Sequence, residues 1–372
     1  MTDVASDVSY VADATLAAGR APERAGYRAR LGEALFSSRL NTAITLISAL
    51  LIAAIAVPFL SWALLDATWS GGPEACRAAR QGACWSFIAT KFNFILFGFY
   101  PAEDHWRPGL ALLISVALVV AAATPRFWSR ALIGVWVAGI AAILILMHGG
   151  IFGLPVHPTR TWGGLPLTVV LSLVGLSAAF PLGIVLALGR RSELPLIRNF
   201  CICYIELLRG VPLITILFMA SVLFPLLLPE GAVVDKLLRA QIALIMFGGA
   251  YIAEVVRGGL QAIPAGQYEA AASLGLGYRL TMAKIILPQA LKIVIPPLVS
   301  IAIGFFKDTS LVIIIGLFDF LSTIKATLND ADWIGFHVEA YLFAALVYFS
   351  VCFTFSRYSL WLEKRLSPEN TR

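Results

Sequence analysis

Four consecutive residues, Lys307, Asp308, Thr309 and Ser310, interrupt an apolar run that extends from Ile293 to Phe320. Ionised side chains in such a run are costly and usually serve function. A lysine ammonium could meet a carboxylate, while Asp308 and the two hydroxyls could take an ammonium or line a polar path. The competing reading is structural: a cluster that pairs across helices or at a contact between subunits. Sequence neighbours do not face each other on a helix, so Lys307 and Asp308 need separate partners or a local break. Pro296-Pro297, Gly304 and Gly316 favour a bent or broken helix there, and mid-membrane interruptions are where substrate sites are commonly built.

Glu206 and Arg209, and likewise Glu254 and Arg257, are spaced i,i+3. That spacing allows an ion pair within each couple. A structural pairing near the membrane interface and a gating role are both open. Gly210 and Pro212, just beyond the first couple, would let that helix bend or let another approach closely. His105, His148, His157 and His337 are dispersed without metal-ligand spacing, so no metal site is expected. G-x-x-x-x-G-K-[ST], G-x-S-x-G and H-E-x-x-H do not occur, which leaves no catalytic residue to nominate and no P-loop of the chain's own.

The elements that must position these residues are membrane helices. Of 372 residues, 59% are hydrophobic and 13% charged, and the mean hydropathy is +0.84. That composition describes an all-α polytopic membrane protein. The net charge of +6 does not indicate nucleic acid, because the basic residues cluster at the ends of apolar runs, where they set orientation. Cys76 and Cys84 share one polar segment and could pair in an oxidising compartment. Cys201, Cys203 and Cys352 lie in apolar runs and read as packing residues.

Eight stretches qualify as spans, at about 42–64, 108–124, 131–149, 163–188, 199–226, 238–260, 292–320 and 337–361. Arg126, Arg130, Arg190, Arg191, Arg198, Arg257, Arg279, Lys284, Lys292, Lys364 and Arg365 then fall on one side, with Arg20, Arg24, Arg28, Arg30 and Arg39. By the positive-inside rule that side is cytoplasmic and holds both termini. Segment 65–107 is then periplasmic, and Trp85–Tyr100 within it is expected to lie in the interface, anchored by Trp85 and Tyr100. Pro155, Pro158, Gly163 and Gly164 mark a module boundary. The expected division is a cytoplasmic tail at 1–39, an accessory three-helix region at 40–160 and a five-helix core at 161–366 with a cytoplasmic loop at 262–290.

That loop contains the longest break in the apolar C-terminal half, EAAASLGLGYRLTMAKIILP from Glu269 to Pro288. Pro264 before and Gly275 after a small-residue stretch suit a short helix, with Glu269 early enough to suit its dipole. Tyr278 to Leu287 can form a second helix, closed by Pro288. Glu269-Ala270-Ala271, three residues, Gly275, nine residues, Ile285, one residue, Leu287-Pro288 resembles the EAA loop of permease subunits of binding-protein-dependent ABC importers. Glu206–Pro212, Glu254–Leu260, Gly266–Glu269 and Phe306–Leu311 resemble the polar amino-acid branch of that family. Phe97-Gly98, Trp106-Arg107-Pro108 and Arg257–Gln261 are similar to permeases of broad-specificity L-amino-acid importers of Gram-negative bacteria.

The resemblance implies a type I ABC importer core in a bacterial inner membrane, carrying amino acids. It implies that Glu269, Ala270, Ala271, Gly275, Leu287 and Pro288 form a coupling helix docking into a separate cytoplasmic ATPase. It further implies a second permease subunit and a periplasmic amino-acid-binding protein. ATP and Mg would be used by the partner ATPase, and this chain would bind no cofactor. An ion-gradient-driven secondary amino-acid transporter is the alternative. It would use Lys307 and Asp308 equally well but leaves the EAA spacing unexplained and lacks a detectable inverted repeat.

Overall fold

The structure is a computed structural model and describes residues 35–79, 81–227, 229 and 233–366. The expectation for the tail therefore lies, for residues 1–34, outside the described residues. The chain divides into two compact units, Met1–Thr68 with Arg77–Ala83, and Trp69–Cys76 with Cys84–Arg372.

The first unit is built on helix α1, Arg39–Leu60, which begins where the Ser38 hydroxyl accepts the Asn41 N–H and continues into a π-helical turn, Ser61–Leu65. No residue of α1 is buried. A helix apolar around its whole circumference suits a lipid surround, because its backbone groups are satisfied internally. The Ala83 N–H donates to the Trp62 carbonyl at 2.8 Å and the Ala83 carbonyl accepts from the Thr68 N–H at 2.8 Å, which fixes the end of this helix.

In the second unit, a short helix α2 (Pro73–Ala78) leads to α3 (Trp85–Phe97). Cys76 and Cys84 form a disulfide across eight positions of sequence. The buried Glu339 carboxylate accepts the Cys84 N–H at 3.0 Å. With 13 residues, α3 is too short to cross a bilayer. It packs against core elements: Phe87 meets Trp333 at 5.4 Å between ring centroids, and Lys91 pairs with Asp330. That ammonium holds the Asp330 carboxyl below the usual range.

Tyr100 is not an exposed interfacial anchor. It is buried, donates to the Met147 carbonyl at 3.0 Å, and has the Arg107 guanidinium 5.8 Å from its ring centroid. Burial pushes its phenol up to about 12. Trp85 is half-buried. Helices α4 (Trp106–Ala123) and α5 (Arg130–His148) follow as an antiparallel pair. Arg107, fully buried, donates from Nε to Leu146 O at 2.7 Å and from Nη1 to Pro155 O at 2.9 Å.

The remaining helices are α6 (Gly164–Arg190), α7 (Pro195–Gly210), α8 (Leu213–Phe218), α9 (Lys236–Gln261), α10 (Ala265–Ser273), α11 (Tyr278–Thr281), α12 (Leu287–Asp308), α13 (Phe320–Thr327) and α14 (His337–Leu366). Among the described residues, seven helical stretches are long and apolar enough to cross a membrane, and α7 with Leu213–Leu226 makes an eighth only as a bent pair. The continuous span expected over 199–226 is therefore broken, by 104°. Pro212 lacks an N–H, and Val211 before it is extended at φ −106°, ψ 134°, as the residue preceding proline prefers.

Pro288 does not close a second loop helix. A π-helical turn, Met282–Ile286, joins α11 to α12, and the chain stays helical from Tyr278 to Ile315. The wider turn accommodates the proline ring and its missing donor. Pro296-Pro297 leave α12 unbroken; the change comes at Asp308, where the α-helix tightens to a 3-10 segment, Thr309–Ile315, ended by Gly316.

Helices α6 and α9 form the most extensive pair. The Phe305 ring of α12 lies on both, so close that a Cβ on Gly175 or on Gly248 would stand 2.7 or 2.8 Å from it. The α4–α5 pair attaches to this core through Trp136 Nε1, which donates to Ser177 Oγ at 2.8 Å, and Tyr358, which donates to Ala123 O at 2.8 Å. Replacing Cys76 and Cys84 together by serine should lower stability by about 2–3 kcal/mol, the loop-closure value for so short a ring. Thermal unfolding of detergent-solubilised protein checks this, and adding reductant to the unmodified chain should reproduce the shift.

Candidate functional site

Three features gather the residues that sequence singled out: the 262–290 loop, a charge cluster next to it, and the α-to-3-10 transition at Asp308.

The loop helix α10 ends in a reciprocal pair of backbone bonds. The Gly275 N–H donates to Ala272 O at 2.9 Å and the Leu276 N–H to Ala271 O at 3.1 Å, the Schellman arrangement. It requires a left-handed residue, and Gly275 supplies it at φ +70°. Glu269 stands fifth of nine residues in α10 and is exposed, so it does not occupy the first turn where it would complement the dipole. The alanines do not form one flat face: Ala271 is buried, whereas Ala270 and Ala272 are exposed. Leu274 is 75% exposed and Tyr278 66%, an apolar pair on a connection between spans. Leu287, half-buried, and Pro288, exposed, open α12. The two ends of the loop meet where Gln289 Nε2 donates to Gln267 Oε1 at 3.0 Å.

The charge cluster joins α6, α7 and α9. Glu254 accepts two bonds from Arg257, the Nε bond at 2.9 Å, as the i,i+3 spacing predicts. It also lies 3.5 Å from Arg190 and 3.8 Å from Arg209. Glu206 does not pair with Arg209; its partner is Arg190, 2.9 Å away. Arg209 instead reaches Glu254 and lies 5.7 Å from the centre of the Tyr251 ring. Arg190 had only an orienting role in the sequence, because its contacts depend on how α6 ends beside α7. Three guanidinium groups against two carboxylates leave one positive charge in excess. The next residue, Arg191, donates to Tyr268 Oη at 3.2 Å and to Leu260 O at 3.5 Å.

Lys307 and Asp308 sit two and three residues past Phe305. Gly175 and Gly248, which Phe305 covers, are the twelfth of 27 residues in α6 and the thirteenth of 26 in α9, so the pair lies close to mid-span. Lys307 is exposed on this chain and Asp308 half-buried. Thr309 is fully buried and donates to Phe306 O at 2.7 Å, so its hydroxyl is occupied in the transition itself. Ser310 is half-buried. The second broken span adjoins this one: Leu213 and Leu217 of α8 share a cluster with Phe305, Val312 and Ile315. Two discontinuous helices thus meet near the middle of the bundle, the arrangement in which carriers build polar sites.

Arg239 escaped sequence reading because it lies at the edge of the 238–260 run. It donates from Nη1 to Ser221 O, satisfying a carbonyl of the π-helical turn Met219–Leu223.

Residues 179–368 match the family described as "Binding-protein-dependent transport system inner membrane component". The chain belongs to that family. It is 49% identical over 344 residues, 91% of this chain and 92% of the relative, to the "Inner membrane amino-acid ABC transporter permease protein YhdY" of Escherichia coli (strain K12). It is 36% identical over 433 residues, 98% of this chain and all of the relative, to the "Glutamate/glutamine/aspartate/asparagine transport system permease protein BztC" of Rhodobacter capsulatus. A shorter relative, the "Probable amino-acid ABC transporter permease protein YckA" of Bacillus subtilis (strain 168), is 34% identical over 54% of this chain and 87% of its own length. The protein is thus an ABC importer permease subunit, a multi-pass inner-membrane protein whose family works with an ATPase and a binding protein. This favours the importer reading over the secondary transporter.

Within this permease, Glu254 serves three arginines and Glu206 one. Glu254→Gln should therefore cost about 1–2 kcal/mol and Glu206→Gln less than about 1 kcal/mol. Thermal unfolding of the two variants side by side gives the ranking; equal losses would show that Glu254 does not organise the cluster.

Proposed function

We propose that this chain forms one half of the translocation path of an ATP-driven amino-acid importer, with 262–290 and both termini in the cytoplasm. The observation that carries the reading is α10. It is a short, capped helix whose exposed Glu269 and Ala270 are followed by exposed Leu274, Gly275 and Tyr278. Exposed apolar residues on a polar connection mark a docking surface. Its occupant is the ATPase subunit, which binds ATP and Mg. A second permease subunit completes the path, and a periplasmic binding protein delivers substrate to the other face. On this reading 161–366 is the transport core and 40–160 the accessory region, with Cys76–Cys84 in the oxidising compartment.

Lys307 and Asp308 are the substrate-facing pair. An exposed ammonium near mid-span needs water, a partner's carboxylate or a substrate carboxylate beside it. A carboxylate one residue away offers complementary recognition of an amino group. The names of the similar permeases point to polar and acidic amino acids as the class to test.

Co-purification from the native host decides the docking assignment. The unmodified chain should carry ATPase subunits through purification. Glu269→Arg should lose them by charge, and Gly275→Leu by strain, a left-handed leucine costing about 1–2 kcal/mol. Reconstituted Lys307→Met should retain the ATPase yet lose uptake of radiolabelled L-glutamate and L-glutamine. Retention of ATPase by both loop variants would defeat the docking assignment. Undiminished uptake by Lys307→Met would defeat the substrate assignment.

A further inference from the structure

The charge cluster and the loop helix are separate features that touch adjacent residues, Arg190 and Arg191. Arg190 and Arg191 end α6, and successive residues of a helix point about 100° apart. Arg190 turns to Glu206 of α7, 2.9 Å away, and to Glu254 of α9, 3.5 Å away. Arg191 turns the other way, to Tyr268 of α10: Nη1 lies 3.2 Å from the phenol oxygen and Cζ 5.8 Å from the ring centroid. Both arginines also grip α9, one at Glu254 and the other at the Leu260 carbonyl in its last turn. Tyr268 is the half-buried neighbour of exposed Glu269, so it is the inward-facing side of the surface assigned to docking.

We infer that Arg190-Arg191 is the junction through which displacement of α10 reaches the inner charge cluster. Resting on the docking reading above, the inference adds the positioning residues that reading leaves out. Pulling on α10 through Tyr268 moves the end of α6, and that movement draws Arg190 relative to Glu206 and Glu254. The ion pairs that hold α7 against α6 and α9 then exchange partners, Arg209 being placed to replace Arg190 on Glu254. Because α7 is the near half of the broken span, its release alters the path next to the Val211-Pro212 break. The other tether of α10, Gln267 to Gln289, leads to α12 and does not touch the cluster, which makes it a control.

Hydrogen–deuterium exchange on the full-length chain in detergent tests the junction without any partner. Tyr268→Ala and Arg191→Ala should each speed exchange in α10 and also in 203–209 of α7. The double variant should be no faster than either single one, since residues acting through one link are not additive. Gln267→Ala should affect α10 alone, and Tyr268→Phe, which keeps the ring beneath the guanidinium, should largely restore protection in α7. Faster exchange confined to α10, or single effects that multiply in the double variant, would overturn the junction. In the assembled importer, Arg191→Ala should retain its ATPase subunits while transport per ATP hydrolysed falls about tenfold; an unchanged ratio would likewise overturn it. Failure of the unmodified chain to hold any ATPase would refute docking instead, and the exchange result on the isolated chain would still decide the junction.

Discussion

The constraint on which the structure depends is that a backbone inside a bilayer must satisfy every N–H and C=O within the protein. Unbroken helices meet it at no further cost. This chain breaks its helices at several points, and at some of them particular side chains supply missing partners. Arg239 donates to the carbonyl of Ser221 where α8 gives way to a π-helical turn. The Phe320 N–H finds the Thr168 hydroxyl at 3.0 Å, and Thr323 donates to the Ile95 carbonyl at 2.9 Å. Asp319, fully buried, accepts the N–H groups of Leu321 and Ser322 and so begins α13. Arg107 does the same service for the end of α5 and the loop beyond it.

These interruptions decide which polar groups are presented. An uninterrupted span presents only side chains to its neighbours, whereas a change of helix type frees backbone groups and redirects the side chains on either side. The change at Asp308 turns Thr309 inward and leaves Lys307 outward near mid-span. The break at Val211-Pro212 brings the start of α8 to the same cluster. Charges of α7 just before that break, Glu206 and Arg209, meet those of α6 and α9. The charge cluster thus adjoins one interrupted span, and Lys307 and Asp308 adjoin the other.

Much of this was legible in the sequence, and the misses share a cause. Spans were visible in hydropathy, the loop in a motif with fixed spacing, and Glu254–Arg257 in an i,i+3 rule that needs only one helix. The same rule failed for Glu206 and Arg209, because Arg190 arrives from another helix and competes for Glu206. Local rules make Pro288 a stop, yet a π-helical turn just before it lets the helix continue. Tyr100 suited an interfacial anchor by type. Its burial followed from the arrival of Arg107 and the end of α5, neither of which any local pattern encodes. Local chemistry was readable, while competition between elements distant in sequence was not.

The way α10 is held bears on how a push from outside can act. A loop helix attached only through its chain ends would swing, and the spans beside it would be little disturbed. Here α10 has two side-chain tethers to different helices, Tyr268 to Arg191 on α6 and Gln267 to Gln289 on α12. Ala271 of the same helix is buried. Swinging about one tether would stretch the other, so a displacement must carry both helices together or break a contact. The stiff Schellman end resists absorbing that motion within α10, whereas the π-helical turn at 282–286 and the 3-10 segment at 309–315 offer looser hydrogen bonding at which a long helix can re-angle. Rigidity lies where force would enter and compliance on either side of Lys307, so tilting α12 re-aims the mid-span pair instead of bending the loop.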